Sequence, residues 1–365
     1  MAVDYATLKK GGFMRQKQKN NFSLRLAVVG GNLTAENLQI IAKVAEKYGD
    51  GHVHLTSRQS VEIPFIKLDD VEEVKEVLAT GGCKPGVCGP RVRTITACQG
   101  SAVCPSGNID SYDIAKKLDE RYFARELPHK FKFGVTGCQN NCLKAEENDV
   151  GIKGASIVEW EEAACINCGI CEKTCRVDAI STVDGKIVLD EEKCNNCGRC
   201  VKACPTDAWK ATPAFEVSFG GLFGNRVYKG ENYLPLVTSE EQLFRITDAA
   251  IQFFDDNANP GERFRMTLER VGLDKFEEKI KEAYNADFTI DETVDITDVV
   301  CPMTFVKAKV AMEELEIGQV LSVHMNDGEP VQNVPRSFKE EGQQVLKLID
   351  NEDGTYDLIV KKIEE

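Results

Sequence analysis

The spacing of apolar residues in the first eighty positions predicts a small unit of strands and helices. Residues 22–29 and 61–66 have the apolar pattern of strands, and residues 52–56 form a weaker one. Helical spacing predicts one helix that begins at Thr34 and a second over residues 70–79. The positions predicted to face the core are Leu38, Ile41, Ala42 and Ala45 in the first helix and Val71, Val74, Val77 and Leu78 in the second. The pattern therefore predicts a β-α-β-β-α unit after a polar, basic arm at residues 1–20.

Similar patterns continue to the end of the chain and predict an α+β protein. Residues 111–126 and 239–255 have the spacing of helices, and the second begins with the capping sequence Ser239-Glu240-Glu241-Gln242. The pattern of apolar and polar residues changes near residue 292. Strands are predicted at residues 293–297, 320–325, 345–349 and 356–361, with a helix carrying Phe305, Val306, Val310 and Leu315 and a short helix near Ser337. This last segment has the make-up of a small two-layer α/β sandwich.

Composition narrows the classes of partner. The net charge of −14 argues against nucleic acid or an acidic membrane surface as the partner. No apolar run is long enough to span a bilayer, and the N-terminus lacks the apolar segment of a signal peptide. The chain has fifteen cysteines, and most of them have metal-ligand spacing, so we expect a reducing cytoplasm and an oxygen-poor habitat.

Four cysteines form two close pairs, Cys98 with Cys104 and Cys138 with Cys142. Two pairs on separated segments suit one [4Fe–4S] cluster, which takes four thiolates from converging loops. The alternative is a set of ordinary buried thiols, which rarely fall into two tight pairs flanked by glycine.

A second cysteine pattern repeats within residues 160–210. The first run is Cys165, Cys168, Cys171 and Cys175, and the second is Cys194, Cys197, Cys200 and Cys204 followed by proline. This repeat resembles a two-cluster bacterial ferredoxin, in which the fourth cysteine of each run serves the other cluster. The resemblance implies one [4Fe–4S] cluster on Cys165, Cys168, Cys171 and Cys204, and another on Cys194, Cys197, Cys200 and Cys175. The alternative is that these cysteines bind zinc.

The two cysteine pairs resemble the motif of the sirohaem-containing sulfite and nitrite reductases, and the position of the ferredoxin resembles the dissimilatory type. The resemblance implies sirohaem and three [4Fe–4S] clusters, with Cys142 bridging to the sirohaem iron. It divides the chain into a ferredoxin-like half-domain at 1–82, a sirohaem domain at 83–159 and 211–285, and an inserted ferredoxin at 160–210.

The same resemblance assigns roles to polar residues. Arg25, Arg93, Lys130 and Lys132 match the cations that hold the substrate anion and supply protons. Lys130 and Lys132 are two apart on a predicted strand, so they share a face, while Phe131 and Phe133 take the other face. The residues implied as sirohaem contacts are Thr56, Arg58, Gln59, Asn140, Gly220, Gly221 and Arg226. The roles of Cys83 and Cys88 stay open.

Residues 292–365 resemble the TusA family of sulfur carriers. The segment Cys301-Pro302-Met303-Thr304 matches the family's Cys-Pro-x-Pro except for the second proline. Cys301 lies at a predicted helix start, where the pKa of a thiol is lowered. The resemblance implies that Cys301 carries a persulfide; the alternative is an inert buried thiol.

These features predict a sirohaem-dependent reductase that converts sulfite to sulfide with six electrons, which enter through the ferredoxin clusters from an unknown low-potential donor. Nitrite reduction to ammonia, reverse operation, and an electron-transfer or sulfur-trafficking protein without sirohaem remain alternatives. Conventional assimilatory enzymes contain two repeats, one with the cations and one with the cluster cysteines, whereas this chain has one. We therefore expect a homodimer or larger assembly in which the cations of one subunit face the sirohaem of another. A sulfur-acceptor protein is a further expected partner.

Overall fold

A computed structural model describes residues 4–183, 185–286, 289–299, 303–351 and 353–363. The chain forms two units, Met1–Tyr284 and Asn285–Glu365, which are described in turn. The α+β class predicted from the sequence is confirmed. In the described residues, no helix has the length and apolar character needed to cross a bilayer.

The first part of the first unit is an antiparallel sheet with helices packed against it. Its elements are α1 (Tyr5–Lys10), β1 (Phe13–Arg15), β2 (Asn21–Arg25), α2 (Ala35–Tyr48), β3 (His54–Leu55), β4 (Val61–Lys67) and α3 (Val71–Thr80). The strand order is β1-β2-β4-β3. Leu24 and Ile63 on the sheet and Val44 and Leu78 on the helices are completely buried, so the hydrophobic face of each element packs against the others.

Two expectations for this part were wrong. Residues 4–20 of the predicted arm are packed on the unit, because Phe13 is buried and β1 pairs with β2. In α2 the buried face is carried by Ile41, Val44, Ala45 and Tyr48, whereas Leu38 and Ala42 are exposed. The physical reason is that the core stripe is rotated by part of a turn from the one expected on the sequence, and Val44 and Tyr48 complete it at i+3 and i+7 from Ile41.

The second part of the first unit is built on a mixed sheet. Its elements are β5 (Thr96–Ala97), α4 (Ser111–Tyr122), β6 (Phe133–Thr136), β7 (Val150–Trp160), α5 (Ile170–Thr174), β8 (Ile180–Val183), β9 (Lys186–Leu189), α6 (Arg199–Ala203), β10 (Trp209–Phe219), β11 (Leu222–Phe223), β12 (Val227–Tyr228), α7 (Glu240–Asn257), α8 (Phe264–Val271) and α9 (Leu273–Asn285). The strand order is β10-β7-β6-β5. β5, β6 and β7 are parallel, and β10 is antiparallel to β7.

A cluster of phenylalanines fixes the helices to this sheet. Phe131 contacts Phe133, Phe254 and Phe264 with ring centroids 5.1–5.5 Å apart. Phe276 of α9 joins the cluster through Phe264, at 5.5 Å. Phe131 and Phe133 flank Lys132 along the chain, so the position of this polar segment depends on the aromatic core.

The segment between β7 and β10 extends from the end of a long two-stranded ribbon, in which Trp160 pairs with Trp209. Its two halves have the same backbone geometry at equivalent positions of the two cysteine runs. Positive φ angles recur at Asn167 and Asn196, at Gly169 and Gly198, and at Asp178 and Asp207. A short helix follows each glycine, α5 in the first half and α6 in the second. The sequence repeat is therefore also a structural repeat.

The second unit is a four-stranded sheet with two helices. Its elements are β13 (Glu292–Asp295), α10 (Met303–Glu313), β14 (Val320–Asn326), α11 (Glu329–Glu340), β15 (Gln344–Asp350) and β16 (Thr355–Lys361). The order is β13-β14-β16-β15, in which β13 and β14 are parallel and the other pairs are antiparallel. Ala308, Met312 and Phe338 from the helices are buried with the sheet in one core. Cys301 lies outside the described residues.

We predict that Phe131→Ala lowers the free energy of unfolding by about 3–5 kcal/mol, because it leaves a cavity among packed rings. The measurement is urea unfolding followed by circular dichroism. Phe223→Ala is the control: this side chain is 41% exposed, and we expect a change of about 0.5 kcal/mol or less. Equal effects of the two substitutions would contradict the packing described here.

Candidate functional site

The structure brings the four predicted substrate cations into one cavity of about 250 Å³. Its charged lining residues are Arg25, Arg58, Arg93, Lys130 and Lys132. They come from separated stretches of the sequence. Arg58 was predicted to contact sirohaem, not to belong to this group of cations. Five cations around one small space form a site for an anion with several oxygens.

Each arginine of the cavity is held in place by the protein. The Nε of Arg25 donates to Glu62 at 2.8 Å across the β2–β4 pair. Arg93 donates to the carbonyl oxygens of Val87 and Gly89 at 2.9 and 3.0 Å. Its Nε is buried and has no hydrogen-bond partner among the described residues.

Arg58 connects the half-domain to the second part of the unit. It donates to the side chain of Asn148 at 3.0 Å and to the carbonyl of Thr94 at 3.1 Å. Burial lowers the pKa of Arg58 to about 10. At neutral pH Arg58 is therefore still charged, and its guanidinium is a fixed part of the cavity wall.

The two lysines alternate with buried aromatic rings, as the strand pattern predicts. Lys130 and Lys132 line the cavity, while Phe131 and Phe133 are buried in the core. Burial, followed by repulsion from Arg58, lowers the pKa of Lys132 to about 8. Burial also lowers the pKa of Lys130. An ammonium group with a pKa near 8 donates a proton more readily than an ordinary lysine.

A buried ion pair that was not predicted from the sequence lies behind Lys132. Asp149 is completely buried, and Arg263 donates to its two oxygens at 3.0 and 3.2 Å. The backbone N–H of Lys132 donates to the same carboxylate at 2.9 Å. Burial raises the pKa of Asp149, and Arg263 opposes that effect. Asp149 and Arg263 are far apart in sequence, so no local pattern could have joined them.

Two of the four cysteines predicted to hold the first cluster lie just after the strands: Cys98 directly follows β5, and Cys138 lies two residues beyond β6. Cys98 Sγ accepts from the backbone N–H of Gly137 at 3.0 Å and lies 3.3 Å from the hydroxyl of Ser111. Burial opposes ionisation of Cys98, but these hydrogen bonds outweigh it and lower the pKa. Cys138 is buried, Cys104 is half-buried and Cys142 is exposed. Thiols stabilised as thiolates are suited to bind iron.

The cations and these thiols lie at opposite ends of the same strands. Arg93 precedes β5 and Cys98 comes after it, and Lys132 precedes β6 while Cys138 comes after it. The two segments run parallel from the Val92–Phe131 bridge onward. Five and six residues of extended chain span about 16 and 20 Å. Among the described residues, no cysteine lines the cationic cavity.

The repeated cysteines line two separate cavities. Cys165, Cys168, Cys171 and Cys204 line one, and Cys175, Cys194, Cys197 and Cys200 line the other. Trp209 lines the first cavity, and its indole N–H is buried without a partner among the described residues. The donor sets fit two [4Fe–4S] clusters, each with one cysteine from the other run. Among the described residues, no three His, Cys, Asp or Glu side chains are arranged to hold a single metal ion.

Several predicted sirohaem contacts have partners within the protein. Gln59 forms two hydrogen bonds with the backbone of Ala97, at 2.8 and 2.9 Å. The hydroxyl of Thr56 accepts from the N–H of Ser60 at 3.1 Å. Asn140 accepts from Arg199 at 3.4 Å. Each of these residues therefore has a structural contact of its own.

The paired glycines also have a packing role. A Cβ atom at Gly221 would lie 2.2 Å from the carbonyl oxygen of Glu146 and 2.3 Å from that of Asn148. Gly220 has a φ angle of 80°, which suits glycine. Arg226, in the turn between β11 and β12, is exposed and donates to the sulfur of Met266 at 3.6 Å.

The β11–β12 hairpin packs against the segment that follows Cys142. Gly221 packs on the carbonyl of Glu146, and the N–H of Gly230 donates to that carbonyl at 2.9 Å. Glu146 comes four residues after Cys142. Phe223 and Val227 on the hairpin are exposed, as is Cys142.

Cys83 and Cys88 are both buried. Burial raises the pKa of Cys83, and its thiol lies 3.9 Å from the carbonyl of Asn37. Neither residue lines the cavities of the repeated cysteines or the cationic cavity.

Comparison with known families covers most of the chain. Residues 88–288 match the nitrite and sulphite reductase 4Fe-4S domain, and residues 14–80 match the nitrite/sulfite reductase ferredoxin-like half domain. Residues 292–362 match the sulfurtransferase TusA family.

Two curated relatives and one solved structure are similar to the chain. An uncharacterised protein of Methanocaldococcus jannaschii is 33% identical over 75% of this chain and 95% of its own length. One subunit of the anaerobic sulfite reductase of Salmonella typhimurium is 31% identical over 66% of this chain and 77% of its own. The crystal structure of dissimilatory sulfite reductase I superposes with a TM-score of 0.59 at 20% identity, over 72% of this chain and 69% of that one. The last likeness concerns the fold alone.

We predict that nitrite, whose charge is constant in this range, binds more weakly as the pH rises above about 8. The pKa of Lys132 is about 8, so its ammonium is charged below that pH and neutral above it. Calorimetry from pH 6.5 to 9.5 measures the effect. Lys132→Met should bind about tenfold more weakly at pH 7 and lose the part of the decline that is centred near pH 8, whereas exposed Lys210→Met should match the wild type. A decline of wild-type size around pH 8 in Lys132→Met would contradict the assignment.

We predict that Gly221→Ala destabilises the cofactor-free protein, because the added Cβ meets two carbonyl oxygens. Gly224→Ala is a matched control in the same hairpin, where a Cβ has no atom within 4 Å. The measurement is the thermal midpoint of each variant. A normal midpoint for Gly221→Ala would show that the glycine is not required for packing.

Proposed function

The chain belongs to the nitrite and sulphite reductase family, and we propose that it is a sirohaem-dependent enzyme that reduces sulfite to sulfide with six electrons. The observation that carries this proposal is the cavity of five cations in a chain whose net charge is −14. The similarity to a protein named as part of a sulfite reductase supports sulfite as the substrate.

The cysteine sets support three [4Fe–4S] clusters. We assign one to Cys98, Cys104, Cys138 and Cys142, with Cys142 facing sirohaem, and two to the repeated cysteines. When bound, sirohaem would supply the iron centre, and the clusters would relay to it the electrons of a low-potential donor. We assign Arg226, on the exposed β11–β12 hairpin, as a contact to a sirohaem carboxylate.

The cationic residues bind, orient and protonate the anion. Sulfite offers three oxygens, which suit the fixed guanidinium groups of Arg25, Arg58 and Arg93. These oxygens leave as water, so the reaction consumes protons, and Lys132 and Lys130 supply them. Asp149 holds the backbone of Lys132 and is itself held by Arg263, which keeps the Lys132 ammonium directed at the same place in each turnover.

We further propose that the active site is shared between two copies of the chain. Within one copy the cations lie at the amino ends of β5 and β6 and the thiols at the carboxyl ends. Lysine and arginine side chains are too short to bridge that distance. A two-fold dimer solves the problem because each copy presents both ends, so the cations of one copy face Cys142 of the other.

The second unit supports sulfur over nitrogen as the element that is reduced. Its sequence matches a sulfurtransferase family. We assign Cys301 as a persulfide carrier: its thiolate would take the outer sulfur of a donor persulfide, which leaves as a thiolate, and would pass that sulfur to a thiol of an acceptor protein. Nitrite reduction to ammonia is the second candidate, since the family includes nitrite reductases and the same cations suit nitrite.

The function is tested on anaerobically purified protein. We expect a sirohaem absorption band that, after reduction, is reoxidised by sulfite with release of sulfide. Turnover of nitrite but not of sulfite would favour the second candidate. A spectrum with only the broad iron–sulfur absorption would contradict an enzymatic role.

The shared site is tested with a heterodimer. One copy carries Cys142→Ala, the other carries Arg93→Gln with Lys132→Met, and two different tags allow the mixed dimer to be isolated. If cations act across the interface, each variant homodimer is inactive, while the heterodimer keeps one complete site and about half of the wild-type activity. A doubly tagged wild-type dimer is the control. An inactive heterodimer would contradict a shared site.

A further inference from the structure

The two halves of the cysteine repeat have different surroundings. The second half lies against the body of the first unit. The side chain of Asn108 donates to the carbonyl oxygen of Cys197 at 3.3 Å, and the backbone N–H of Ser156 donates to the carbonyl oxygen of Asn196 at 2.8 Å. In the first half, Ile166 and Cys168 are exposed. The repeat is therefore symmetric in its backbone and asymmetric in its contacts.

Lys202 is at the centre of the docked half. Its ammonium donates to the carbonyl of Gly107 and to the side chain of Asn108, both at 2.9 Å. Asn108 in turn contacts the Cys197 loop, so Lys202 and Asn108 form one connected group that joins the ferredoxin segment to the loop after Cys104.

The same lysine lies between two groups of cluster cysteines. It lines a cavity of about 190 Å³ together with Cys138 from one group and Cys197 from another. Partial burial lowers the pKa of Lys202, and the thiols of Cys138, Cys104 and Cys197 act in the opposite direction. Its positive charge therefore acts on both groups.

The repeat supplies an internal comparison. Lys173 occupies the position in the first run that Lys202 occupies in the second, two residues before the fourth cysteine. Both lysines are exposed, and neither lines a cavity of the repeated cysteines. The cavity that holds Lys202 between two cysteine groups is not lined by Lys173. The two lysines have the same place in the repeat and different places in the molecule.

We propose that Lys202 is a positioning residue that seats the second half of the repeat on the Cys98–Cys142 group and whose positive charge raises the reduction potentials of the two clusters beside it. The proposal rests on the cluster assignment in the proposed function. A cluster that gains an electron gains a negative charge, which a nearby ammonium stabilises. Because Lys202 is in contact with solvent, water screens its charge, so we expect a moderate shift.

The inference also orders the clusters. The group of Cys175, Cys194, Cys197 and Cys200 is the inner one, next to Cys138, and the group that includes exposed Cys168 is the outer one. Electrons from a donor protein would therefore arrive at the Cys165–Cys204 group first.

The test is a redox titration of the intact protein followed by electron paramagnetic resonance, which reads each cluster without turnover. Lys202→Gln keeps an N–H donor for Gly107 and Asn108 but loses the charge, and Lys202→Met loses both. In both variants we expect two of the three clusters to become harder to reduce, with a ratio of reduced to oxidised cluster about threefold lower at a fixed potential. Lys173→Gln, the matched control, should leave these two clusters unchanged.

Failure of the role of Lys202 and failure of the proposed function would give different results. Three clusters with unchanged potentials in Lys202→Gln, or an equal shift in Lys173→Gln, would overturn the role of Lys202 and leave the proposed function intact. Fewer than three [4Fe–4S] clusters in the wild-type protein would contradict the cluster assignment and both proposals with it. If Lys202→Met loses a cluster, Lys202→Gln alone decides the effect of the charge.

Discussion

The parallel pairing of β5 with β6 is the constraint on which the rest of the site depends. The pairing sets Thr96 beside Gly134 and Ala97 beside Val135, so the segments before the two strands meet at one end and the segments after them meet at the other. Arg93 and Lys132 are thereby gathered at one end and Cys98 and Cys138 at the other. The buried rings of Phe131 and Phe133 fix the strand that carries the lysines, because any slip in register would move those rings out of the core.

The two ends of these strands differ in their surroundings, with the cations at one end and the thiols at the other. The cationic end is braced by a part-buried hydrogen bond from Arg25 to Glu62 and by one from the backbone of Lys132 to the buried carboxylate of Asp149. At the thiol end, Cys142 is exposed. We propose that a second copy of the chain brings the two ends together in one site.

The sequence predicted the chemistry better than the framework that holds it. Cysteine spacing and the alternation of Lys130 with Phe131 are local signals. The repeated cysteines line two cavities and Lys130 lines another, while Phe131 lies in the core. No local pattern contains the contacts that join distant segments. These are the Asp149–Arg263 pair, the hydrogen bond from Arg58 to Asn148 and the contact of Lys202 with Asn108. The errors at Leu38, at Ala42 and in the supposed arm have a related cause, because the face of an element that is buried depends on its packing partners.

The central claim is that the anion-binding cations and the sirohaem beside Cys142 come from different copies of the chain. The most direct measurement is a structure of the cofactor-loaded protein in its solution assembly, in which the distance from the sirohaem iron to the nearest Lys132 ammonium is read together with the chain that supplies it. We predict that this lysine belongs to the partner copy and lies on the open side of the iron. A lysine from the same chain as the Cys142 ligand, at that position, would contradict the account.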